Sequence, residues 1–161
     1  MKSILAALLI AGPASAATLQ FRIANPTFSD PSACFDPSFA SNPAATFVIN
    51  LDVLFITGNK IGTGQGCAAF VSFTPGTIGL TILDGPQIYR FAGGSITIQA
   101  TVRQFGPPQS ANFVELQDGI VTGGTGIYRD ATGTFFGHGP VFFTPGVGFD
   151  PDQTFEINLS H

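Results

Sequence analysis

Residues Ile120–Gly137 read IVTGGTGIYRDATGTFFG, and the reading of this stretch decides the fold. Gly123, Gly124 and Gly126 separate the apolar pair Ile120-Val121 from Ile127-Tyr128, and Gly133 and Gly137 follow at short intervals. Glycine inside strand-like sequence marks a bulge, a sharp bend or a close approach of two backbones, because it alone adopts positive φ without strain. The stretch reads as a strand that turns a corner and re-enters a sheet.

Outward from this corner the chain alternates strand and turn. Ile96, Ile98, Ala100 and Val102 alternate with Ser95, Thr97, Gln99, Thr101 and Arg103, the period of two of a half-buried strand. Gly106-Pro107-Pro108 breaks that pattern, and Asn112–Gln117 fits either a strand or a single helical turn. Further upstream, Phe47, Ile49, Leu51, Val53 and Phe55 fall on alternate positions. Gly58-Asn59 then makes a turn, and a strand follows from Ile61 through Cys67 to Phe73. Pro75-Gly76 suits the centre of a type II turn. Beyond it lie Ile78, Leu80 and Ile82 on one face, then a separate short strand over Gln87–Phe91. Near the start, Leu19–Ile23 reads as a first strand and Asn25–Pro43, with four prolines, as a long surface loop. Downstream, Ala131–Gly137 and Pro140–Phe143 read as a strand interrupted at Gly137–Gly139, and Phe155, Ile157 and Leu159 form the last strand. About eight strands with no helical segment predict an all-β domain, either sandwich or barrel.

Residues Met1–Ala16 read as an export signal: Lys2, the apolar run Ile4–Ala11, and the small-x-small pattern Ala14-Ser15-Ala16. The run is too short for a bilayer, which takes roughly 20 residues, and no later stretch is long and apolar enough to anchor the chain. The expectation is a secreted or periplasmic protein whose residues 17–161 form one domain with one core. The chain has 6 Lys+Arg against 10 Asp+Glu, a net charge of −4. That balance argues against nucleic acid and anionic membranes as partners. Charged residues are only 10% of the sequence, and the mean hydropathy is +0.34. So little charge favours a closed antiparallel barrel, which has no edges to protect, or subunits that associate. Cys34 and Cys67 read as a disulfide in an oxidising compartment, the alternative being a free reactive Cys67.

Three ordered blocks resemble the allene oxide cyclase and dirigent barrel superfamily. The first is Phe47–Cys67, where a strand passes through Gly58-Asn59-Lys60-Ile61-Gly62 to Gly66-Cys67. The second is Gly93-Gly94-Ser95-Ile96-Thr97-Ile98-Gln99. The third is Ile120-Val121-Thr122-Gly123-Gly124-Thr125-Gly126-Ile127-Tyr128, whose Gly123, Gly124 and Gly126 form the most specific signature. The resemblance implies a closed eight-stranded antiparallel barrel, often a homotrimer, with a hydrophobic cavity. It further implies a small hydrophobic or phenolic ligand whose cyclisation or stereoselective coupling is steered without a metal or organic cofactor. Ala131-Thr132-Gly133 stands where many dirigent proteins carry Ala-Arg-Gly.

Other chemistries find little support. His138 lies in a glycine-rich bend and His161 at the end of the chain, and no Gly-x-Ser-x-Gly elbow is present. Clustered zinc ligands are lacking. Gly123-Gly124-Thr125-Gly126 matches neither a P-loop nor a dinucleotide fingerprint. Asp30, Asp36, Asp150 and Asp152 lack the ordered spacing of a calcium loop. Any chemistry in a barrel interior falls to charged or phenolic groups among apolar neighbours, and the candidates are Arg22, Asp52, Tyr89, Arg103, Glu115, Asp118 and Arg129. If the Ile96–Val102 apolar face is interior, Arg103 points outward. The competing reading is a non-catalytic structural or interaction module that assembles through apolar barrel faces.

Overall fold

The computed structural model describes residues 17–30, 32, 34, 45–73, 79–106, 112–144 and 148–160. Met1–Ala16, read above as an export signal, most of the proline-rich segment, Pro75-Gly76, Pro107-Pro108 and His161 lie outside the described residues. Among those described, the chain forms strands β1 (Ala17–Ser29), β2 (Ala45–Leu54), β3 (Lys60–Phe73), β4 (Gly79–Phe91), β5 (Gly94–Gly106), β6 (Asn112–Gly124), β7 (Thr132–Thr144), β8 (Gly148–Pro151) and β9 (Gln153–Ser160). A 3₁₀ turn, Gly126–Tyr128, sits between β6 and β7.

Every pairing is antiparallel. The strands run β1 to β6 in sequence order, β6 pairs with β7, β7 with β9, and β9 returns to β1. That closes a barrel of eight staves. Strand β8 extends the last stave, because it keeps the register that β9 holds on β7. His138 faces Thr154 and Val141 faces Pro151, and the Asp152 N–H donates to the Pro140 carbonyl between them at 2.9 Å.

Three elements differ from the sequence reading. β1 does not stop at Ile23 but runs on to Ser29, across a register shift between Ala24 and Thr27. Asn25 takes φ 50 there, and the resulting bulge lets Pro26 sit in a strand without interrupting the ladder elsewhere. β4 is one strand where two segments were expected. Its ladder to β3 passes from Gly66 opposite Gln87 to Ala69 opposite Asp84, skipping Gly85-Pro86, while its ladder to β5 continues unbroken through Pro86 opposite Gln99. A proline lacks one donor, so it can lose one neighbour and keep the other. β7 likewise runs through Gly137–Gly139 uninterrupted, and Asn112–Gln117 is strand rather than helical turn.

One end of the barrel is solid. Phe21, Phe135 and Phe155 stack at centroid distances of 5.6 Å (Phe21 to Phe155) and 5.4 Å (Phe135 to Phe155). Phe91 packs edge-on against Phe21 at 5.9 Å and meets Tyr128 of the glycine corner at 5.9 Å. Ile96, Ile98, Ile157 and Leu159 fill the remaining wall, all buried. The corner therefore closes the base of the barrel. Cys34 and Cys67 are joined, with Cα atoms 5.8 Å apart, which ties residue 34 to β3.

Candidate functional site

Above the aromatic base the interior is hollow. A cavity of about 330 Å³ is lined in part by Pro26 and Phe28 of β1, Phe113 of β6 and Val141 of β7. Leu51, Ala68, Leu83 and Val102 give it mainly apolar walls, and the Cys67 half of the disulfide lies in one of them. Its floor is Tyr89, which is 2% exposed. The Tyr89 ring lies 5.2 Å from Phe21 and 6.0 Å from Phe135.

Tyr89 and four glutamines join Glu115 in one connected polar stripe in the cavity. The Tyr89 hydroxyl donates to Gln87 Oε1 at 2.7 Å, and Gln87 Nε2 donates to Gln117 Oε1 at 3.1 Å. Gln117 Nε2 donates to Glu115 Oε2 at 3.2 Å, and Gln104 Nε2 donates to Glu115 Oε1 at 2.7 Å. Gln153 Nε2 also donates to Glu115 Oε2. Three amides from β5, β6 and β9 thus converge on one carboxylate. Burial pushes the Glu115 carboxyl above its ordinary value, and the three donated hydrogen bonds oppose that shift only in part. Tyr89 is raised far above the usual phenol value, first by burial and then by the Glu115 charge, so it stays a neutral donor.

The strand carrying Glu115 is inverted relative to its neighbours. Along β6, Glu115 and Gln117 are buried, while Val114, Leu116 and Ile120 face outward at 46%, 38% and 58% exposure. Elsewhere the glutamines take inward positions in phase with apolar residues. Gln87 follows Leu83 and precedes Tyr89 and Phe91, Gln104 follows Ile98, Ala100 and Val102, and Gln153 precedes Phe155, Ile157 and Leu159. Alternation thus delivers one glutamine from each of four strands to the same level of the barrel.

No family model and no curated protein matches the sequence. Solved structures match the backbone. The pterocarpan synthase dirigent protein PsPTS1 superposes with a TM-score of 0.54, covering 91% of this chain and 96% of its own, at 13% sequence identity. The pterocarpan synthase dirigent protein GePTS1 gives the same TM-score and identity over 100% of this chain and 99% of its own. The chain has the dirigent-type barrel fold.

Within this dirigent-type barrel, two of the seven candidate residues, Tyr89 and Glu115, line the cavity, and both belong to the stripe. The other five lie outside it. Arg22 pairs with Asp152, and Arg103 with Asp118, on the outer surface. Asp52 pairs with Lys60 at 2.6 Å, and that cation holds its carboxyl below the usual range. Arg129 is exposed just after the 3₁₀ turn. These five fall out of phase with the inward positions of their strands or lie in a turn. Gln87, Gln104, Gln117 and Gln153 escaped the sequence reading because an uncharged amide in a strand carries no mark of its own. Their signal is positional, each sitting on the buried phase of a strand.

Gly123, Gly124 and Gly126 serve the base of the dirigent-type barrel rather than the cavity. Gly126 has φ 62, and a Cβ there would stand 2.1 Å from the Gly93 carbonyl oxygen. Thr125 Oγ1 accepts from the Ser95 N–H at 3.0 Å, fastening the corner to β5. Among the described residues, no group of three or more His, Cys, Asp or Glu side chains is arranged to hold a metal.

Proposed function

We propose that this chain is an exported barrel that holds a small hydrophobic or phenolic molecule and steers its cyclisation or stereoselective coupling. The observation that carries the reading is the cavity: about 330 Å³, mainly apolar-walled, with a hydrogen-bonded polar stripe centred on Glu115. Pockets for small organic ligands begin at about 300 Å³ and combine such walls with a few placed polar groups. The two fold relatives are described as pterocarpan synthases, and the shared backbone supports a related use of this interior.

The geometry acts by confinement. Aliphatic walls and the Tyr89 floor restrict a flexible ligand to few folded conformers, which lowers the entropy still to be lost on reaction. The stripe fixes which end of the ligand points inward, because Glu115 and its amides are the polar contacts at that depth. Water has little place against the apolar walls, so a reactive intermediate held there is shielded from hydrolysis. Export rests on the Met1–Ala16 pattern and is supported by the Cys34–Cys67 bond, which persists in oxidising compartments.

Displacement of the neutral fluorophore N-phenylnaphthylamine by a panel of small phenols tests the reading. Saturable binding at one molecule per barrel, abolished by the cavity-filling substitution Val102→Phe, is the expected result. A chain that binds neither fluorophore nor phenol defeats the proposal.

A second reading has its own observation. Val114, Leu116 and Ile120 of β6 and Phe136 and Phe142 of β7 expose apolar surface on one outer face. Such a patch marks an association surface. Under this reading the barrel assembles through that face and the cavity is incidental. Light scattering showing a monomer that still binds ligand removes it.

A further inference from the structure

We infer that the ligand this cavity is built to hold carries a cationic nitrogen, a protonated amine on an apolar body, whose charge is met by Glu115. The inference rests on the cavity being a ligand site and specifies the chemical class that occupies it.

Glu115 acts as an acceptor in every hydrogen bond described for it. Gln104 donates to one oxygen, Gln117 and Gln153 to the other. A carboxylic acid carries a proton that must itself be donated, whereas a carboxylate offers about four acceptor sites and no donor. Three converging N–H groups therefore suit the ionised form and leave acceptor capacity on the oxygen bonded to Gln104. Amides solvate a charge without neutralising it. A buried carboxylate with no cation beside it is costly, and it either takes up a proton or finds a positive partner.

The protein does not supply that partner among its described residues. No Lys, Arg or His side chain lines the cavity. Arg22, Lys60 and Arg103 are engaged with outer carboxylates, and Arg90, Arg129 and His138 are exposed. Asp84 borders the cavity, but its carboxylate accepts from Thr101 Oγ1 at 3.2 Å and Gln99 Nε2 at 3.4 Å, toward the outer face of β5. Glu115 thus has no cationic partner among the described residues. Tyr89 and Phe113 are among the aromatic residues of the lining. The net charge of −4 draws small cations toward the mouth.

The groups facing Glu115 keep its titration simple. β4 presents Tyr89, β5 Gln104, β6 Gln117 and β9 Gln153, while Gly139 lies opposite on β7. Tyr89 is the other titratable group among them, and Asp84 of β4 borders the same cavity. A cationic ligand accordingly binds more tightly as pH rises through the Glu115 titration.

The experiment compares three probes of one size on the mature chain by calorimetry: naphthylmethylamine, the neutral naphthylmethanol and the anionic naphthoate. At about pH 7 the amine is expected to bind about tenfold more tightly than the alcohol, and naphthoate most weakly. The preference should shrink as pH falls and Glu115 takes up its proton. Glu115→Gln should remove the preference of the amine over the alcohol, since the amide carries no charge. Equal binding of amine and alcohol by the natural chain, or a preference that survives Glu115→Gln, overturns the inference and leaves the cavity reading standing. If none of the probes binds, both fall together. The pH dependence in the natural chain tests the idea even if the variant does not fold.

Discussion

Glu115 carries opposing demands in a single side chain. Its amide partners favour the charge and its burial disfavours it, with burial prevailing. A carboxyl whose folded value is raised contributes stability that is whole below its ordinary value of 4.5 and is lost as pH rises through the folded value. In the empty protein, stability should therefore fall as pH climbs above that point, once other groups are accounted for. Glu115→Gln should flatten this segment of the profile, as read by urea unfolding at a series of pH values. Tyr89 poses a different question, since its hydroxyl supports Gln87 and its ring supports the aromatic base. Tyr89→Phe keeps the ring and leaves the half-buried Gln87 oxygen without its donor, a loss of about 1 kcal/mol measured in the same way. The outer pair of Arg103 and Asp118 is exposed to screening water and contributes little to this balance.

Among the elements, the glycine corner is the one most tightly specified. Gly126 combines a left-handed backbone with a carbonyl 2.1 Å from where a Cβ would stand. Gly126→Ala should cost about 2 kcal/mol or more, since both the conformation and the contact must yield. Gly66→Ala, whose Cβ would meet the Gln87 side chain at an ordinary 3.5 Å, should leave thermal stability nearly unchanged. This corner was legible in the sequence because sterics leave glycine few rivals there, and the Ile96–Val102 wall was legible because its apolar face is also its inner face. β6 breaks that equivalence. Its Val114 and Leu116 look out and its Glu115 and Gln117 look in, so apolar periodicity alone points to the wrong face. The run of β1 past Pro26 was hidden for another reason: a bulge is a pairing event between strands, and one strand's sequence does not display its partner's register.

For the molecule as a whole, the closed ring and the Cys34–Cys67 bond act on different states. Closure satisfies strand edges in the folded barrel, while the bond restricts the unfolded chain across a sequence separation of 33. Reduction should lower stability by about 3–4 kcal/mol on the chain-entropy account, detectable as a shift in the urea midpoint. The interior should answer truncation unevenly. Phe155→Ala removes a ring stacked against both Phe21 and Phe135 and should cost about 3–5 kcal/mol. Val102→Ala enlarges a space that already exists and should cost about 1–2 kcal/mol. Parallel denaturation curves for the two variants check the contrast.

That unevenness has an evolutionary consequence. Because folding strength is concentrated in the aromatic base, the residues around the hollow are free to drift in size and chemistry without jeopardising the scaffold. New ligand preferences can then arise by exchanging wall side chains one at a time, each intermediate still a folded, testable protein.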